Sequence, residues 1–315
     1  MTSASLATAV GPVPFPNPVM TASGTSGHGA ELSAYMDLSE LGAVVVKSMS
    51  ATAWEGNPAP RLWPLETGML NSVGLQNGGI TSWLADDLPP LASTGARVVA
   101  SVWGFSAAEY EKVSASLADA FRSGKAPGVV AVEANISCPN VEDRRRMFAH
   151  SRDGVAEAVG AAVRGLDGAL PLWAKLSPNV TDICEMAGAA RDAGAAAVTL
   201  INTVMGMAID PATGRFHLGA GGGGLSGPAV HPVAVRAVYE VRAAWPELPI
   251  VGVGGVSRGV DAAEMIAAGA DAVQVGTATF ASPGSPLRVL RELEAWMAEH
   301  DVTSIAALKG RAHDF

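Results

Sequence analysis

The sequence predicts an α/β fold in which residues 1–315 form a single (β/α)8, or TIM, barrel domain. Short apolar runs alternate with alanine-rich segments of helical spacing, and eight such runs can be counted. Parallel strands that are buried on both faces have this continuous apolar character. The length of 315 residues also suits one large barrel. A repeating strand–helix order is therefore the basis of the prediction.

The eight predicted strands cover, in chain order, residues 18–22, 43–47, 98–102, 129–135, 172–176, 196–201, 250–253 and 272–275. The helices predicted between them cover 107–121, 154–165, 181–193, 232–244 and 259–268. The alternative is a doubly wound sheet with a second small domain, which requires a glycine fingerprint after an early strand. The stretch ASGTSGHG at 22–29 matches that fingerprint only loosely, so the barrel is favoured.

Two long stretches interrupt the alternation. Residues 52–80 and 203–227 are rich in glycine and proline, and they follow the second and sixth predicted strands. Loops at this point of a barrel lie at the carboxyl ends of the strands, where active sites are built. We therefore expect both stretches to be excursions over the C-terminal mouth of the barrel.

Composition restricts the classes of function. A net charge of −9 with scattered basic residues argues against nucleic acid as a partner. Two cysteines are too few for a disulfide framework or for an iron–sulfur cluster held by this chain alone, and they predict a cytoplasmic location. The N-terminus lacks the features of a signal peptide. The longest apolar region, 194–209, is too short to span a membrane.

Polar residues and glycines cluster at the carboxyl ends of the predicted strands. Because these ends meet at one mouth, we expect the residues to form a site. Two of them are lysines that end apolar strands, where a buried ammonium requires an anionic or polar partner; a lysine that simply emerges into solvent is the alternative. The full set is Ser23, Lys47, Ser48, Asn135, Cys138, Asn140, Lys175, Asn202, Thr203, Gly254, Gly255, Gly276 and Thr277.

The nature of the ligand follows from two parts of this set. Glycine pairs follow the seventh and eighth strands in PIVGVGGVS and AVQVGTATF, a position where barrels commonly bind phosphate through backbone N–H groups. Tight turns alone are the simpler explanation of such glycines. Four asparagines, Asn71, Asn135, Asn140 and Asn202, would suit a planar ligand with alternating C=O and N–H groups, such as a pyrimidine dione, if they converge.

A lone cysteine between two asparagines, in NISCPN, is the candidate for acid–base chemistry. Cys138 follows the fourth strand by three residues, and no Ser-His-Asp set or metal-ligand spacing competes with it. A thiol can act as a general base when the site lowers its pKa or holds it against the substrate proton. A buried structural thiol is the alternative. Cys184, in a predicted helix, is expected to be inert.

Four stretches together resemble one family. The chain resembles the class 1 dihydroorotate dehydrogenases in NISCPN, GNPAPRLWPLETGMLNSVGLQNGG, GGGGLSGPAV and PIVGVGGVSRGVDAAEMIAAGADAVQVGTA, and it resembles their B type in GLQN and GLSGP. The similarity extends from about residue 17 to residue 313. Class 2 members use a serine base and carry an N-terminal membrane-associating extension, so they are less similar.

The resemblance implies an FMN enzyme that oxidises (S)-dihydroorotate to orotate in de novo pyrimidine biosynthesis. Cys138 and Lys47 are the implied catalytic residues, with Cys138 removing the C5 proton while hydride passes from C6 to flavin N5. The implied substrate-binding residues are Lys47, Asn71, Val73, Gly74, Leu75, Asn135, Asn140, Asn202 and Thr203. The implied cofactor-binding residues are Ser23, Lys47, Ser48, Asn135, Lys175, Gly227, Gly254, Gly255, Gly276 and Thr277.

The resemblance also implies partners. B-type enzymes work with a second subunit that carries FAD and an iron–sulfur cluster and passes electrons to NAD, and the catalytic chain forms a homodimer. A related FMN enzyme acting on another dihydropyrimidine, such as dihydrouracil, stays open as an alternative. A phosphate-binding barrel without redox chemistry is a third interpretation, because the glycine pairs alone permit it.

One stretch departs from the family pattern. After NISCPNV the B type usually continues with a glycine-containing stretch and an FG pair, whereas this chain reads EDRRRMFAHSRDG. Arg144, Arg145 and Arg146 therefore place three positive charges beside the catalytic loop. A solvated charge run is the favoured interpretation. Altered recognition of an anionic substrate or of an electron-transfer partner is the alternative.

Overall fold

The computed structural model describes residues 4–137 and 147–314, and within them eight parallel strands form a barrel. The strands are β1 Val19–Thr21, β2 Val44–Val45, β3 Val98–Val102, β4 Val129–Asn135, β5 Leu172–Lys175, β6 Ala197–Leu200, β7 Ile250–Val253 and β8 Ala272–Val275. They are hydrogen-bonded in the order β1-β8-β7-β6-β5-β4-β3-β2. A bridge between Met20 and Ala43 closes the ring. The predicted (β/α)8 barrel is confirmed.

Helices connect the strands. They are α1 Ile80–Ser82, α2 Leu88–Ser93, α3 Ala107–Arg122, α4 Arg152–Leu166, α5 Ile183–Asp192, α6 His231–Ala244, α7 Gly259–Ala267, α8 Ala278–Ala281, α9 Ser285–Glu299 and α10 Ile305–Leu308. A π-helical segment, Trp83–Asp87, joins α1 to α2. Short 3-10 helices cover Glu31–Ala34, Leu38–Glu40, Phe148–His150, Pro228–Val230 and Arg311–His313. No helix in the described part of the chain has the length and apolarity needed to cross a membrane.

The starts of three barrel helices follow from single polar side chains. Ser106 accepts a hydrogen bond from the Glu109 N–H at α3, and Ser151 accepts one from the Gly154 N–H at α4. Asp182 accepts hydrogen bonds from two backbone N–H groups at α5. These side chains satisfy donors that lack a partner within the helix. The five helices predicted from the sequence correspond to α3 to α7 within two residues at each end.

The barrel divides the apolar residues into two cores. Inward-facing side chains such as Ala131 and Trp173 form a core inside the barrel, and their sequence neighbours pack outwards against the helices. The alternation follows from the two-residue period of a strand. An N-terminal hairpin, Thr8–Val10 with Val13–Phe15, closes the bottom, where Phe15 packs edge-on against Trp173 with ring centres 6.0 Å apart. The lower half of the barrel interior therefore consists of packed apolar side chains, which lie beneath the mouth.

The two predicted excursions pair with each other. They form a four-stranded antiparallel sheet in the order Val204–Met207, Gly222–Ser226, Gly68–Asn71 and Leu62–Leu65, which we call the roof sheet. Asn71 and Gly224 are directly opposite each other in it. Since the excursions start from β2 and β6, on opposite sides of the ring, the roof sheet reaches the mouth from both sides. This pairing was not predicted from the sequence.

Replacing Asp271 by alanine is expected to reduce the free energy of unfolding by about 3 kcal/mol, as measured by urea unfolding. This buried carboxylate accepts hydrogen bonds of 2.9 Å from Arg242 Nη2, 2.9 Å from Lys309 Nζ and 2.8 Å from the Ile250 N–H. Its removal leaves the guanidinium buried without a counter-charge. The matched control is Glu111→Ala, which breaks the exposed Arg164 pair and should cost less than about 1 kcal/mol. Equal losses in the two variants would contradict the prediction.

Candidate active site

A row of hydrogen-bonded side chains crosses the mouth of the barrel from the end of β6 to the end of β2. The Thr203 N–H donates to Asn202 Oδ1 at 2.8 Å, and Asn202 Nδ2 donates to Asn135 Oδ1 at 3.1 Å. Asn135 Nδ2 in turn donates to Ser48 Oγ at 3.2 Å. The structure thus brings together four of the residues that the sequence assigned to the site.

The direction of this row follows from its first member. A backbone N–H can only donate, so the hydrogen bond from Thr203 requires the oxygen of the Asn202 amide at that position. The Asn202 nitrogen must then face Asn135, which makes the Asn135 oxygen an acceptor and its nitrogen a donor. The second proton on each amide nitrogen has no partner among the described residues. Both asparagines can therefore donate to a ligand carbonyl or carboxylate.

Two further serines continue the row on the β1 and β3 sides. Ser48 Oγ lies 2.8 Å from Ser101 Oγ and 3.2 Å from Ser23 Oγ. Ser48 and Ser101 are buried, whereas Ser23 is half-buried. Because Ser48 accepts from Asn135, its own hydroxyl proton is directed to one of these two oxygens. The orientation of the Asn135 amide is thereby supported by buried hydroxyl groups.

The roof sheet adds Asn71 to the same site. Asn71 Nδ2 donates to the Gly224 carbonyl at 3.2 Å, which leaves Asn71 Oδ1 as an acceptor without a partner among the described residues. A methyl group on Gly224 would overlap the Thr203 side chain, so Thr203 packs directly against this strand. Asn71 is thus linked to Asn202 through Gly224 and Thr203. The site combines amide donors on the barrel side with an amide acceptor on the roof side.

Residues 73–75, which were predicted to bind the substrate, follow the roof-sheet strand Gly68–Asn71 and are held in place by hydrogen bonds. Gly74 and Leu75 both have positive φ angles, 73° and 66°, and the Gly74 carbonyl accepts a hydrogen bond of 2.9 Å from Trp54 Nε1. The Val73 carbonyl accepts another, of 3.1 Å, from the Asn57 N–H. Trp54 itself packs edge-on against Phe105, with ring centres 4.9 Å apart, in the loop after β3. An aromatic contact therefore fixes this turn to the barrel.

Lys47 lies beside the loop that follows β1. A Cβ on Gly24 would be 3.6 Å from Lys47 Nζ, and the Lys47 N–H donates to the Gly27 carbonyl at 3.0 Å. Burial lowers the pKa of the neighbouring His28, although Asp87 and Glu31 act to raise it and Lys47 acts to lower it. The lowered pKa favours the neutral form of this imidazole.

Lys175 ends β5 inside the barrel and pairs with a buried carboxylate. Its Nζ lies 3.3 Å from Glu133 Oε1 and 3.2 Å from Gln274 Oε1. Gln274 Nε2 and Thr199 Oγ1 both donate to Glu133 Oε2, at 2.7 Å and 3.0 Å. The alternative that this lysine emerges into solvent does not hold, because its side chain is 7% exposed. We call these four residues the barrel polar cluster.

The glycines after β6, β7 and β8 form a closely packed cradle. A Cβ on Gly254 would lie 2.6 Å from Ala234 Cβ, and one on Gly255 would lie 2.7 Å from His231 Cβ, in the first turns of α6. These positions have φ angles of 142° and 69°, which side chains rarely adopt. Only glycine fits there. Such a surface allows a ligand to approach the backbone closely.

The cradle is completed by residues from three segments. Gly227 also has a positive φ, of 100°, and precedes the 3-10 helix that leads into α6. Gly276 lies near Ala22, since a Cβ on it would be 3.2 Å from Ala22 Cβ. Thr277 Oγ1 donates to Ser226 Oγ at 2.8 Å, which joins the end of β8 to the roof sheet. The structure therefore brings the predicted glycines to one side of the mouth.

Several predicted residues, Cys138, Asn140 and Arg144 to Arg146, lie outside the described residues. The residue before Cys138 is described: Ser137 is buried and its Oγ donates to the Lys175 carbonyl at 3.0 Å. The end of β4 is thus tied to the end of β5 at the mouth. Cys184, by contrast, lies in α5, where burial raises the pKa of its thiol. A raised pKa reduces the thiolate fraction, as expected for an inert cysteine.

Sequence reasoning missed five polar residues near the mouth. They are Ser101, Glu133, Asn179, Thr199 and Gln274. Glu133 had a readable signal, because it is a charged residue in the middle of the apolar strand VVAVEAN. Asn179 had none: its Oδ1 accepts from the Met205 N–H at 2.9 Å and its Nδ2 donates to the Thr203 carbonyl at 3.0 Å, contacts that depend on the roof sheet.

The comparison with known proteins agrees with this geometry. The family model described as dihydroorotate dehydrogenase matches residues 5–297. The chain belongs to this family. This match confirms the family resemblance inferred from the motifs, and the chain is an oxidoreductase of the dihydroorotate dehydrogenase family.

Individual dihydroorotate dehydrogenases are similar over nearly their whole length. A catalytic subunit of dihydroorotate dehydrogenase B (NAD(+)) from Geobacter sp. strain M21 is 44% identical over 305 residues, 97% of each chain. One from Desulforamulus reducens is 43% identical over 309 residues, 98% of this chain and 99% of that one. A protein from Solibacter usitatus, provisionally named dihydroorotate dehydrogenase A (fumarate), is 43% identical over 305 residues, 97% of each chain.

Replacing Gly224 by alanine is expected to raise KM for the substrate about tenfold, measured by steady-state kinetics, because the new methyl group displaces Thr203 and with it Asn202. Gly222→Ala in the same strand is the matched control, since a Cβ there meets its nearest atom at 3.4 Å. The control should keep the parent KM. An unchanged KM in Gly224→Ala would show that Thr203 does not position the substrate site.

Proposed function

We propose that this chain oxidises (S)-dihydroorotate to orotate with FMN as cofactor, in de novo pyrimidine biosynthesis. The observation that supports the proposal is the directed row of amides at the mouth. Asn135 and Asn202 offer N–H donors, and Asn71 offers a carbonyl acceptor from the roof sheet. The ring of dihydroorotate carries C=O and N–H groups together with a carboxylate, so it complements such a site. Membership of the dihydroorotate dehydrogenase family supports the same substrate.

The residues present fit FMN. The cradle around Gly254 and Gly255 admits no side chain, which suits close approach of a phosphate to backbone N–H groups. Lys175 supplies a buried cation at the mouth. Bound FMN would supply the hydride acceptor for the oxidation. The proposed cofactor-binding residues are Ser23, Lys47, Ser48, Asn135, Lys175, Gly227, Gly254, Gly255, Gly276 and Thr277.

The chain's own residues would perform the remaining chemistry. Lys47 binds the substrate carboxylate through its positive charge, and Cys138 takes the C5 proton as general base. Holding the ring against fixed donors turns proton removal into a reaction between positioned groups. The residues proposed to hold the substrate are Lys47, Asn71, Val73, Gly74, Leu75, Asn135, Asn140, Asn202 and Thr203.

We also propose that electrons leave through a second subunit that carries FAD and an iron–sulfur cluster and reduces NAD. The names of the B-type relatives, which are catalytic subunits of NAD(+)-linked enzymes, support this arrangement. Two cysteines are too few for a cluster within this chain. We propose a homodimer of one-domain chains, 1–315, located in the cytoplasm. Fumarate reduction by the purified chain alone would instead favour the A type.

The test of the proposed function is the visible spectrum of the purified chain under anaerobic conditions, before and after dihydroorotate is added. A flavin absorption band that is bleached by dihydroorotate is the expected result. A band that persists with dihydroorotate but is bleached by dihydrouracil would move the substrate to another dihydropyrimidine. A protein without a flavin band after purification with FMN would overturn the proposal.

A further inference from the structure

A charge pair is buried inside the barrel just below the mouth. Glu133 is fully buried in the middle of β4, and Lys175 at the end of β5 is also buried. The ammonium and the carboxylate are 3.3 Å apart. Burying two charges is costly, and the cost is offset only if the remaining hydrogen-bonding capacity of both groups is used. A fold that needed only packing at these two positions could use apolar residues.

The other residues of the barrel polar cluster donate hydrogen bonds to Glu133. Lys175, Gln274 and Thr199 all donate to the carboxylate, so both of its oxygens accept hydrogen bonds. Lys175 is different, because its ammonium has three protons and the described residues accept two of them. Both oxygens of Glu133 thus have hydrogen-bond donors, while one proton of the Lys175 ammonium has no acceptor among the described residues.

Glu133 lies one layer below the polar row, whereas Lys175 is level with it. Glu133 and Asn135 are two residues apart on β4 and therefore face the same side of the strand, into the barrel. Lys175 is aligned with Asn135 in the pairing of β4 with β5. A ligand bound against Asn135 therefore contacts the upper layer, with Glu133 behind Lys175.

We propose that Glu133 is a positioning residue that holds Lys175 Nζ in place and cancels part of its positive charge, and that it thereby sets the reduction potential of the FMN. This inference rests on the proposed function. A cation beside the flavin favours uptake of electrons, and a carboxylate directly behind it weakens that field. Oxidation of the substrate and transfer to a later acceptor both depend on where this potential lies.

The test is the midpoint potential of the FMN-loaded full-length protein without substrate. Glu133→Gln keeps the size of the side chain and removes the negative charge, so the potential should rise. At a fixed applied potential the ratio of reduced to oxidised FMN should increase about tenfold, which is about 30 mV for a two-electron couple. Lys175→Met should shift the potential in the opposite direction, and the double variant should lie between the two single variants.

A purely structural role predicts a different pattern. It would weaken FMN binding or lower the melting temperature in both single variants without shifts of opposite sign. Thr199→Val is the matched control, because it removes one hydrogen bond to Glu133 without changing any charge, and it should keep the parent potential. Glu133→Gln that retains FMN at the parent potential, or at a lower one, would overturn the inference.

Two further outcomes would also decide between these roles of Glu133. If Glu133→Gln fails to fold, the double variant has no buried charge in the pair and is compared with Lys175→Met; an equal or lower potential in the double variant overturns the inference. A parent protein that binds no FMN overturns both this inference and the proposed function. An FMN-loaded parent that does not oxidise dihydroorotate overturns only the proposed substrate, since the potentials are measured without substrate.

Discussion

Replacing Cys138 by serine is expected to slow the bleaching of the flavin band by dihydroorotate about 10²–10⁴-fold, the range for loss of a positioned general base. A serine hydroxyl is far less acidic than a thiol, so very little of it is ionised at neutral pH. The change should leave the cradle and the amide row unaltered, and we expect FMN to stay bound. Stopped-flow absorbance under anaerobic conditions measures the rate directly.

Cys184→Ser is the control for this experiment. It makes the same atomic change in α5, and the backbone carbonyl of Cys184, which accepts a hydrogen bond from Trp245 Nε1, is kept. We expect parent kinetics. Should Cys138→Ser reduce its flavin as fast as the parent, Cys138 is not the base and a different group at the mouth removes the proton.

The second large effect is expected at Asn202. Asn202→Asp keeps the acceptor for the Thr203 N–H but replaces the amide donor with a carboxylate oxygen that faces Asn135 Oδ1. Asn135 then loses its fixed orientation, and a negative charge is placed beside an anionic substrate. We expect kcat/KM for dihydroorotate to fall about 10³-fold, because an unsatisfied buried hydrogen-bonding group costs about 1–3 kcal/mol and a like charge several kcal/mol, and each 1.4 kcal/mol is about tenfold. Steady-state kinetics measures this loss.

Asn17→Asp separates this effect from the general cost of the substitution. Asn17 is also an asparagine with two hydrogen bonds, from its Nδ2 to the Glu40 carbonyl and to its Oδ1 from the Val19 N–H, but it lies before β1 at the other end of the barrel. It should lose stability and keep the parent kcat/KM. Similar kinetic losses in both variants would show that the amide row has no specific role in substrate binding.

The fold could largely be predicted from the sequence, because the strands and helices of a barrel produce local patterns of apolar residues and caps. Strand β3 is a run of apolar residues apart from Ser101, and α3 begins at a serine that caps it, so neighbouring residues fix both. The roof sheet could not be predicted from the sequence. The strand Gly222–Ser226 has little side-chain pattern of its own, and it pairs with Gly68–Asn71, which lies about 150 residues earlier in the chain. Pairing over that distance is decided by where the barrel places the two excursions.

Site residues could be predicted from the sequence where they lie at the end of a strand. Asn135 and Asn202 follow apolar runs, and the barrel brings such ends together whatever lies between them. The direction of their amides required the structure, since it depends on the Thr203 N–H. Glu133 was missed for a different reason. An interior charge in a strand is identifiable in the sequence, but its partners Lys175 and Gln274 come from two other strands.

The roof sheet has a consequence for how this site can be changed by recombination. Each of its two halves belongs to a different strand–helix unit, and neither half carries a complete set of hydrogen-bond partners. If residues 203–227 alone were replaced by the corresponding segment of a relative, Asn71 would pair with a strand from that relative instead of with the strand that contains Gly224. The two excursions therefore form one hydrogen-bonded unit, and chimeras should exchange residues 52–80 and 203–227 together.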